Sequence, residues 1–433
     1  MPLLTAVSLA ARLPFLSPGF GTDPDAWRVG LAAQFMRSHG TFRSSRVPGH
    51  PVQDLAAWAL SGFGSLGVNL ATALLSVAAV ALFHRLCRRF GIPHAFLLSL
   101  GFAFMPIVFV HSVDAMDYLW ALPFALGAIE LLLSGKPLPA GACLGLATGC
   151  RITSIVLLAA LVPLCDPQRR SRDLIRCAGA ALATSVLCYV PVVLAHGLDY
   201  LRFTPTQYPR LLYVAKAFTI DLFGVLGLAG VAAALTGMRR DETVPAAWKR
   251  VRWATAVMLA VSIPLFLRLP DDAAYLLPAV PFVLWTIATV VRRDRVVVLA
   301  VALALSGFLL RLRDIHPMVA PWPTGPGLRL SSRVSLDLKG PILVDHARRV
   351  ADEAYAGAVL DRLPGNATLL AAEWWPMLTY KGGGPAIVQY PTAAELDSLA
   401  KRPLYFIPDA EREILIKTGL DVRRWGARPW PAP

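Results

Sequence analysis

The sequence predicts an α-helical polytopic membrane protein that carries a small α/β domain at its C-terminal end. Three observations carry that expectation. The chain is 56% hydrophobic and only 16% charged, where soluble domains average about 25% charged. Several apolar runs reach the roughly 20 residues that a helix needs to cross a bilayer, and a spanning backbone must satisfy its own polar groups, so each run reads as a helix. From about residue 315 no run could span, and short apolar stretches alternate with helical ones, the pattern of an α/β unit.

The net charge of +14 would suggest nucleic acid in a soluble protein. Here the basic residues stand in short clusters between apolar runs, which fits membrane topology and anionic headgroups. Membrane lipids are therefore expected partners and nucleic acid is not. The six cysteines (Cys87, Cys143, Cys150, Cys165, Cys177, Cys188) all precede the polar C-terminal part, which therefore has no disulfide staple. No CxxC or Cys/His spacing marks a metal site, and buried, inert thiols are expected.

The elements follow in order. Residues 2–18 form the first span, with Arg12 inside it. The stretch lacks a basic leader and a small-residue cleavage site, so it reads as a retained span. A polar interval, 18–54, comes next, and within it 24–38 has near-helical apolar spacing, suggesting a helix lying along the interface. Span two lies within 55–83 and closes on Arg85, Arg88 and Arg89. Span three covers about 93–111 and ends in HSVDAMDY; span four covers about 118–134 and ends near Lys136. A single crossing at 139–164 would put Arg169, Arg170, Arg172 and Arg176 on the side of the acidic 114–117 turn, against the positive-inside rule. It would also bury Arg151 in mid-membrane, at a cost of about 2.5–3.5 kcal/mol if it faced lipid. A broken hairpin, 139–150 in and 155–164 back, removes both problems and puts Arg151 at its apex. Spans at 177–196, 217–237, 253–269, 274–291 and 296–311 complete about eleven crossings, with basic intervals at 238–252 and 292–295. The N-terminus is then cytoplasmic, and four basic clusters share its side. The 18–54 loop, the acidic turns at 114–117 and 271–272, and the C-terminal part share the other, extracytoplasmic side of a membrane best matched to the bacterial inner membrane. The domains divide as 1–314 and 315–433. In the second, 366–372, 386–390 and 403–407 read as strands, and 344–362, 392–401 and 409–418 as helices, the last two opening after Thr392 and Asp409.

The chemistry concentrates in the first loop. Asp23-Pro24-Asp25 is a good helix start, with Asp23 as cap and Pro24 in the first turn. It is also a carboxylate pair able to take a proton from a hydroxyl, and the two readings are compatible. Arg28, Arg37, Arg43 and Arg46 lie on the outer side against the positive-inside trend. They suit an anionic ligand through forked guanidinium geometry, or, for Arg37 and Arg43, lipid phosphates. Asp114, Asp117 and Tyr118 form either an outer acidic turn or part of a substrate site. Asp271, Asp272 and Tyr275 sit at another outer span end, where helix capping competes with binding. His50, in the turn Pro-Gly-His-Pro at 48–51, either meets a ligand or shapes the turn. Arg151 is functional by default, as an intramembrane charge.

Together RLPF, TDPDAW and SRVPGHP in the first outer loop, VDAMDYLWALPF after the third span, GLATGCRITSIVLLAALVPL as the hairpin and DDAAYLLPAVPF late in the chain resemble the GT-C class of polyprenyl-phosphate-sugar-dependent membrane glycosyltransferases, the superfamily of protein O-mannosyltransferases and the aminoarabinose transferase. The resemblance covers about residues 1–311. It implies an inverting sugar transfer at the outer face, from a polyprenyl-phosphate-linked donor to a glycan, lipid or protein acceptor. Asp23 or Asp25 would be the base. Arg28, Arg46, Arg151 or Arg268 would hold the donor phosphate, and His50, Asp114, Asp117, Tyr118, Asp272 and Tyr275 the substrates. No cofactor is required, although a divalent cation could sit near Asp23 and Asp25. Two departures stand out: the family's adjacent Asp-Glu is Asp-Pro-Asp here, and the Arg that usually precedes the late Tyr is Ala274, with Arg268 nearby. Two other functions share these features, a transporter or flippase of a lipid-linked or anionic solute and an inactive GT-C-like scaffold subunit. The missing internal repeat argues against transport.

Overall fold

A computed structural model describes every residue except 166, 169, 203–210, 240–243, 269, 271, 314–334, 383–385 and 431–433. Arg169, Arg240, Asp271 and the 314/315 domain boundary lie outside the described residues. The helical part comprises α1 (Pro2–Arg12), α2 (Pro24–His39), α3 (Pro51–Leu60), α4 (Gly64–Arg89), α5 (Ala95–Phe104), α6 (Pro106–Val110), α7 (Tyr118–Leu133), α8 (Pro137–Cys150), α9 (Leu157–Leu161), α10 (Arg170–His196), α11 (Leu211–Lys216), α12 (Leu222–Leu235), α13 (Ala246–Arg268), α14 (Val280–Val290) and α15 (Arg293–Ser306). Among the described residues, five segments are long and apolar enough to cross a bilayer: Pro51–Arg89, Arg170–His196, Tyr213–Leu235, Ala246–Arg268 and Ala273–Val290. Shorter apolar helices accompany them. The chain is an integral membrane protein.

The short apolar segment Pro2–Phe15 changes from α-helix to a 3-10 turn after Arg12. The Arg12 guanidinium is wholly buried, donates to the Ser8 carbonyl (2.7 Å) and the Ala103 carbonyl (2.9 Å), and stacks over Phe109. The expected hairpin has its first arm in α8 and its apex at Arg151. Its second arm is only a 3-10 turn (Ile152–Val156) and the five-residue α9, which packs on α13. Close packing of α8 on α10 rests on Gly141, Gly145 and Gly149. A Cβ on any of them would come within 2.2, 2.4 or 2.8 Å of Cys177, Thr184 or Cys188, so the small-residue spacing of four lets the two backbones approach. The last span also ends sooner than expected. The helix stops at Ser306, and β1 (Leu309–Arg313) pairs antiparallel with β2 (Ser335–Lys339). Strand pairing across twenty-odd intervening residues leaves no local signal to read.

The C-terminal unit continues with α16 (Pro341–Arg362), β3 (Thr368–Leu370), α17 (Trp375–Lys381), β4 (Ala386–Val388), α18 (Ala393–Leu399), β5 (Leu404–Phe406), α19 (Pro408–Thr418) and β6 (Arg428–Pro429). The sheet runs in the order β4-β3-β5-β6, all parallel. Thr392 caps α18 through a reciprocal bond with Glu395. For α19 the cap position is Ile407 rather than a residue at Asp409, because Pro408 supplies the first turn. This unit covers the first loop. Tyr380 of α17 meets Phe20 and Trp27 edge-on at 4.9 and 5.7 Å. Helix α2 is therefore buried on several faces, through Ala26, Trp27, Val29, Gly30, Ala32, Ala33 and Met36, rather than on the single face of an interfacial helix.

Candidate active site

The site grows from the N-terminus of α2. Asp23, in extended conformation, accepts the Asp25 amide at 2.7 Å through Oδ1, and Pro24 follows at the first helical position. Its Oδ2 has no hydrogen-bond partner among the described residues. Burial, then the Asp25 carboxylate and more weakly that of Asp272, push the Asp23 carboxyl up to about 7. One turn on, Asp25 pairs with Arg28 at 2.7 Å and with Arg46 Nε at 3.4 Å.

Arg46 links that pair to a second carboxylate. Asp117 is completely buried and takes Arg46 on Oδ1, Arg151 Nη1 on Oδ2 at 2.7 Å, and His50 Nε2 at 3.5 Å. Burial alone would raise Asp117, but the guanidiniums outweigh it and hold its carboxyl well below the usual range. His50 is driven down to about 3 by burial and by Arg46, so it is a neutral imidazole at physiological pH. Arg151 leaves the end of α8 in extended conformation. Its guanidinium lies between the rings of Tyr118 and Tyr275, 4.5 Å from each centroid. Tyr118 in turn donates to Asp272 Oδ2 at 2.7 Å, while Asp272 Oδ1 caps the 3-10 turn Ala273–Ala279 through the Ala274 amide. The capping expected of Asp272 is thus present, together with a side-chain bond across 154 residues.

These groups form one end of a cavity of about 720 Å³. Asp25, Arg46, His50, Tyr118, Arg151, Arg268 and Tyr275 line it. The rest of the wall is apolar: Leu122, Ala125, Leu126 and Ile129 recur at helical spacing along α7, faced by Met258, Leu265 and Phe266 of α13. The arrangement is a basic mouth opening onto a greasy trough. It suits an amphiphile with an anionic head.

The other sequence candidates fall around it. Asp23, Asp117 and Asp272 are not among the lining residues, but each is bonded to one that is. Asp114 faces away: it pairs with His111 at 3.1 Å and accepts the Met116 amide. Burial opposes charge on His111, but Asp114 outweighs it and pushes the imidazole up to about 9. Arg28, expected at the donor phosphate, does not line the cavity: its place one turn after Asp25 aims it at that carboxylate and at Glu373 of the C-terminal unit, 3.7 Å away. Three contributors have no signature in sequence. Gln53 bonds the Ala115 carbonyl, Asn69 bonds the carbonyls of Leu16 and Gly19, and Arg349 of α16 reaches the carbonyls of Phe15, Leu16, Pro18, Gly19 and Val113. Among the described residues no group of three or more His, Cys, Asp or Glu is spaced to hold a metal ion.

No protein-family model matches the chain, and no curated protein sequence does. The chain is similar in structure to ArnT from Cupriavidus metallidurans, solved as a crystal structure in the apo state. The two superpose with a TM-score of 0.58 at 15% identity, over 92% of this chain and 87% of that one. The chain therefore shares the fold of ArnT.

Proposed function

We propose that the protein is an inverting membrane glycosyltransferase that moves a sugar from a polyprenyl-phosphate donor to an acceptor hydroxyl. The observation that carries this reading is the cavity itself, with guanidiniums at one end and an apolar trough behind them, built into the fold of ArnT, a GT-C aminoarabinose transferase. In this reading the isoprenoid tail lies along α7 and α13, and the donor phosphate meets Arg46, Arg151 and Arg268. Asp23 takes the acceptor proton. The acceptor oxygen bonds to the anomeric carbon as the bond from that carbon to the phosphate oxygen breaks, with inversion. The electron pair leaves on the polyprenyl phosphate, where pre-placed guanidiniums stabilise it, the kind of term that is usually largest in catalysis.

The division of labour between the two acids follows from their surroundings. Asp25 lies on the cavity wall, held by two arginines, and orients Arg46. Asp23 has a free oxygen and a pKa near 7, which is where a general base works best. In this proposal the site faces the extracytoplasmic side of a bacterial inner membrane, with a cytoplasmic N-terminus and the C-terminal unit, α16 to β6, as a lid over the first loop. The test is sugar transfer from polyprenyl-phosphate donors by the protein in nanodiscs, comparing wild type with Asp23→Asn and Asp25→Asn. Asp23→Asn should lose turnover while keeping donor affinity, and Asp25→Asn should weaken the donor. Wild-type turnover in both variants would sink the assignment.

A further inference from the structure

A second surface, on the far half of α2, is not used by the proposed transfer. Here α2 and α17 diverge and leave an open groove of about 640 Å³, lined by Gln34, Phe35, Arg37, Arg43, Trp375 and Thr379. The geometry is local. Gln34 and Phe35 share the helix face that carries Ser38, and Trp375 and Thr379 are one turn apart on α17. Helix α2 ends at Gly40 in the left-handed region (φ +68°), which turns the chain back and sets the Arg43 guanidinium over the Phe35 ring at 4.8 Å. The ring's stacking is completed by His39, at 4.1 Å. Arg37 extends from the same helix. Among the described residues neither Arg37 nor Arg43 has a carboxylate partner, unlike Arg28 and Arg46 at the other end of the same loop. Two exposed guanidiniums with no counter-charge and the side-chain amide of Gln34 therefore surround a groove with an indole in its wall.

We infer that this groove binds an anionic saccharide, with its phosphate or carboxylate against the guanidiniums of Arg37 and Arg43 that line it and its ring against Trp375. Guanidiniums recognise such oxyanions through paired charge-assisted hydrogen bonds, and an indole offers a broad face with a polar edge. The Trp375 edge is already committed, since its Nε1 donates to the Ile387 carbonyl at 3.1 Å, so the ring is held in place before any ligand arrives. Asp25 and Arg37 are twelve residues apart, about 18 Å along a helix. An acceptor glycan could thus lie in the groove while a hydroxyl at its other end reaches Asp23. That last step rests on the glycosyltransferase reading; binding in the groove does not.

The experiment reads binding without turnover. Full-length protein in phosphatidylcholine nanodiscs is titrated with glucose 6-phosphate by saturation-transfer NMR, with glucose and inorganic phosphate alongside. Wild type should favour glucose 6-phosphate over either fragment. The Arg37→Gln/Arg43→Gln variant should lose about tenfold or more in affinity, as expected when charge-assisted hydrogen bonds are removed. Arg37→Lys/Arg43→Lys should recover part of it. The three proteins should share one Tm, since both side chains are exposed. Equal binding by wild type and the glutamine variant would overturn the inference. So would inorganic phosphate binding as tightly as the sugar phosphate, or phosphatidylglycerol in the nanodisc abolishing the signal, because either makes the groove a contact for lipid headgroups. Groove binding by a wild-type protein that transfers no sugar would count against the enzymatic reading and leave the groove standing.

Discussion

The two roles of Asp23, helix cap and base, can be separated by one substitution. Asparagine caps a helix about as well as aspartate, so Asp23→Asn keeps the bond to the Asp25 amide and removes only the ionisable group. In the folded protein the carboxyl sits near 7 instead of its ordinary 3.8. Its folded pKa is raised, so the folded state holds the proton more tightly, and stability falls as pH rises from about 4 to about 7. Asp23→Asn should therefore raise Tm at pH 8 and leave it nearly unchanged at pH 4, while turnover is lost; a Tm that falls at pH 8 would mean that the carboxylate is structural. For the wild type, kcat/KM for sugar transfer should climb with pH through about 7 as the base ionises, and a flat profile between pH 5.5 and 8 would exclude Asp23 from that role. Asp117 behaves in the opposite way. It is buried and held ionised by Arg46 and Arg151, so truncating Arg151 leaves its charge only partly compensated, at a cost approaching the roughly 3–5 kcal/mol of a broken buried pair. Arg151→Met should unfold the protein at markedly lower temperature, and adding Asp117→Asn should restore part of the loss. If thermal melts show strict additivity, the pair is not coupled as described.

At the scale of elements, the helix α8 carries Arg151 to the site, and what sets its position is α10. Gly141, Gly145 and Gly149 face α10 so closely that no side chain fits, and Arg151 follows Cys150, the last residue of α8. Gly145→Leu would push the helices apart. Overpacking of this kind costs about 1–3 kcal/mol, and the displaced guanidinium should weaken donor binding. The expected outcome is a lower Tm in nanodiscs together with a raised KM for the polyprenyl-phosphate donor; a normal KM would show that α8 does not set the position of Arg151. Which elements were legible in the sequence follows the same logic. The long helices α4, α7, α10 and α13 were readable because each is a sustained apolar run. The strands β3, β4 and β5 were readable from short apolar stretches between turn residues. Pairing of β1 with β2, the shortness of the hairpin's second arm and the helix α17 depend on distant partners. The glycine spacing of α8 stands in the sequence, but its meaning depends on which helix lies opposite. At the site, the acids and arginines were visible as residue types. That Arg46 joins Asp25 to Asp117, and that Arg28 turns towards Glu373, depends on contacts 71 and 345 residues apart in the chain.

For the whole molecule, the decisive contact is between the C-terminal unit and the first loop. A membrane-embedded cavity needs its mouth shaped from outside the bilayer, and three polar links do this here. Thr22 donates to Asp345 at 2.9 Å, Arg28 faces Glu373, and Arg349 spreads its guanidinium over five backbone carbonyls between 2.9 and 3.4 Å away. Four of those carbonyls belong to residues 15–19, immediately before Asp23, and the fifth is Val113, in the turn that carries Asp117. Arg349 is thus the point at which helix α16 fixes both acid-bearing segments at once. Asn69 still reaches the Leu16 and Gly19 carbonyls, but removing Arg349 takes this donor from those of Phe15, Pro18 and Val113, at about 1–3 kcal/mol for each that water cannot reach. Lysine has three donors on a single nitrogen and cannot span the same set. Arg349→Met should therefore speed amide hydrogen exchange in residues 15–23 and 113–117, with Arg349→Lys intermediate. If the loop is held for catalysis, kcat should fall in the same order while the donor KM stays close to wild type, because no residue lining the cavity has changed. Unchanged exchange in Arg349→Met would remove the C-terminal unit from any part in shaping the site. Faster exchange with an unchanged kcat would make it a structural lid alone.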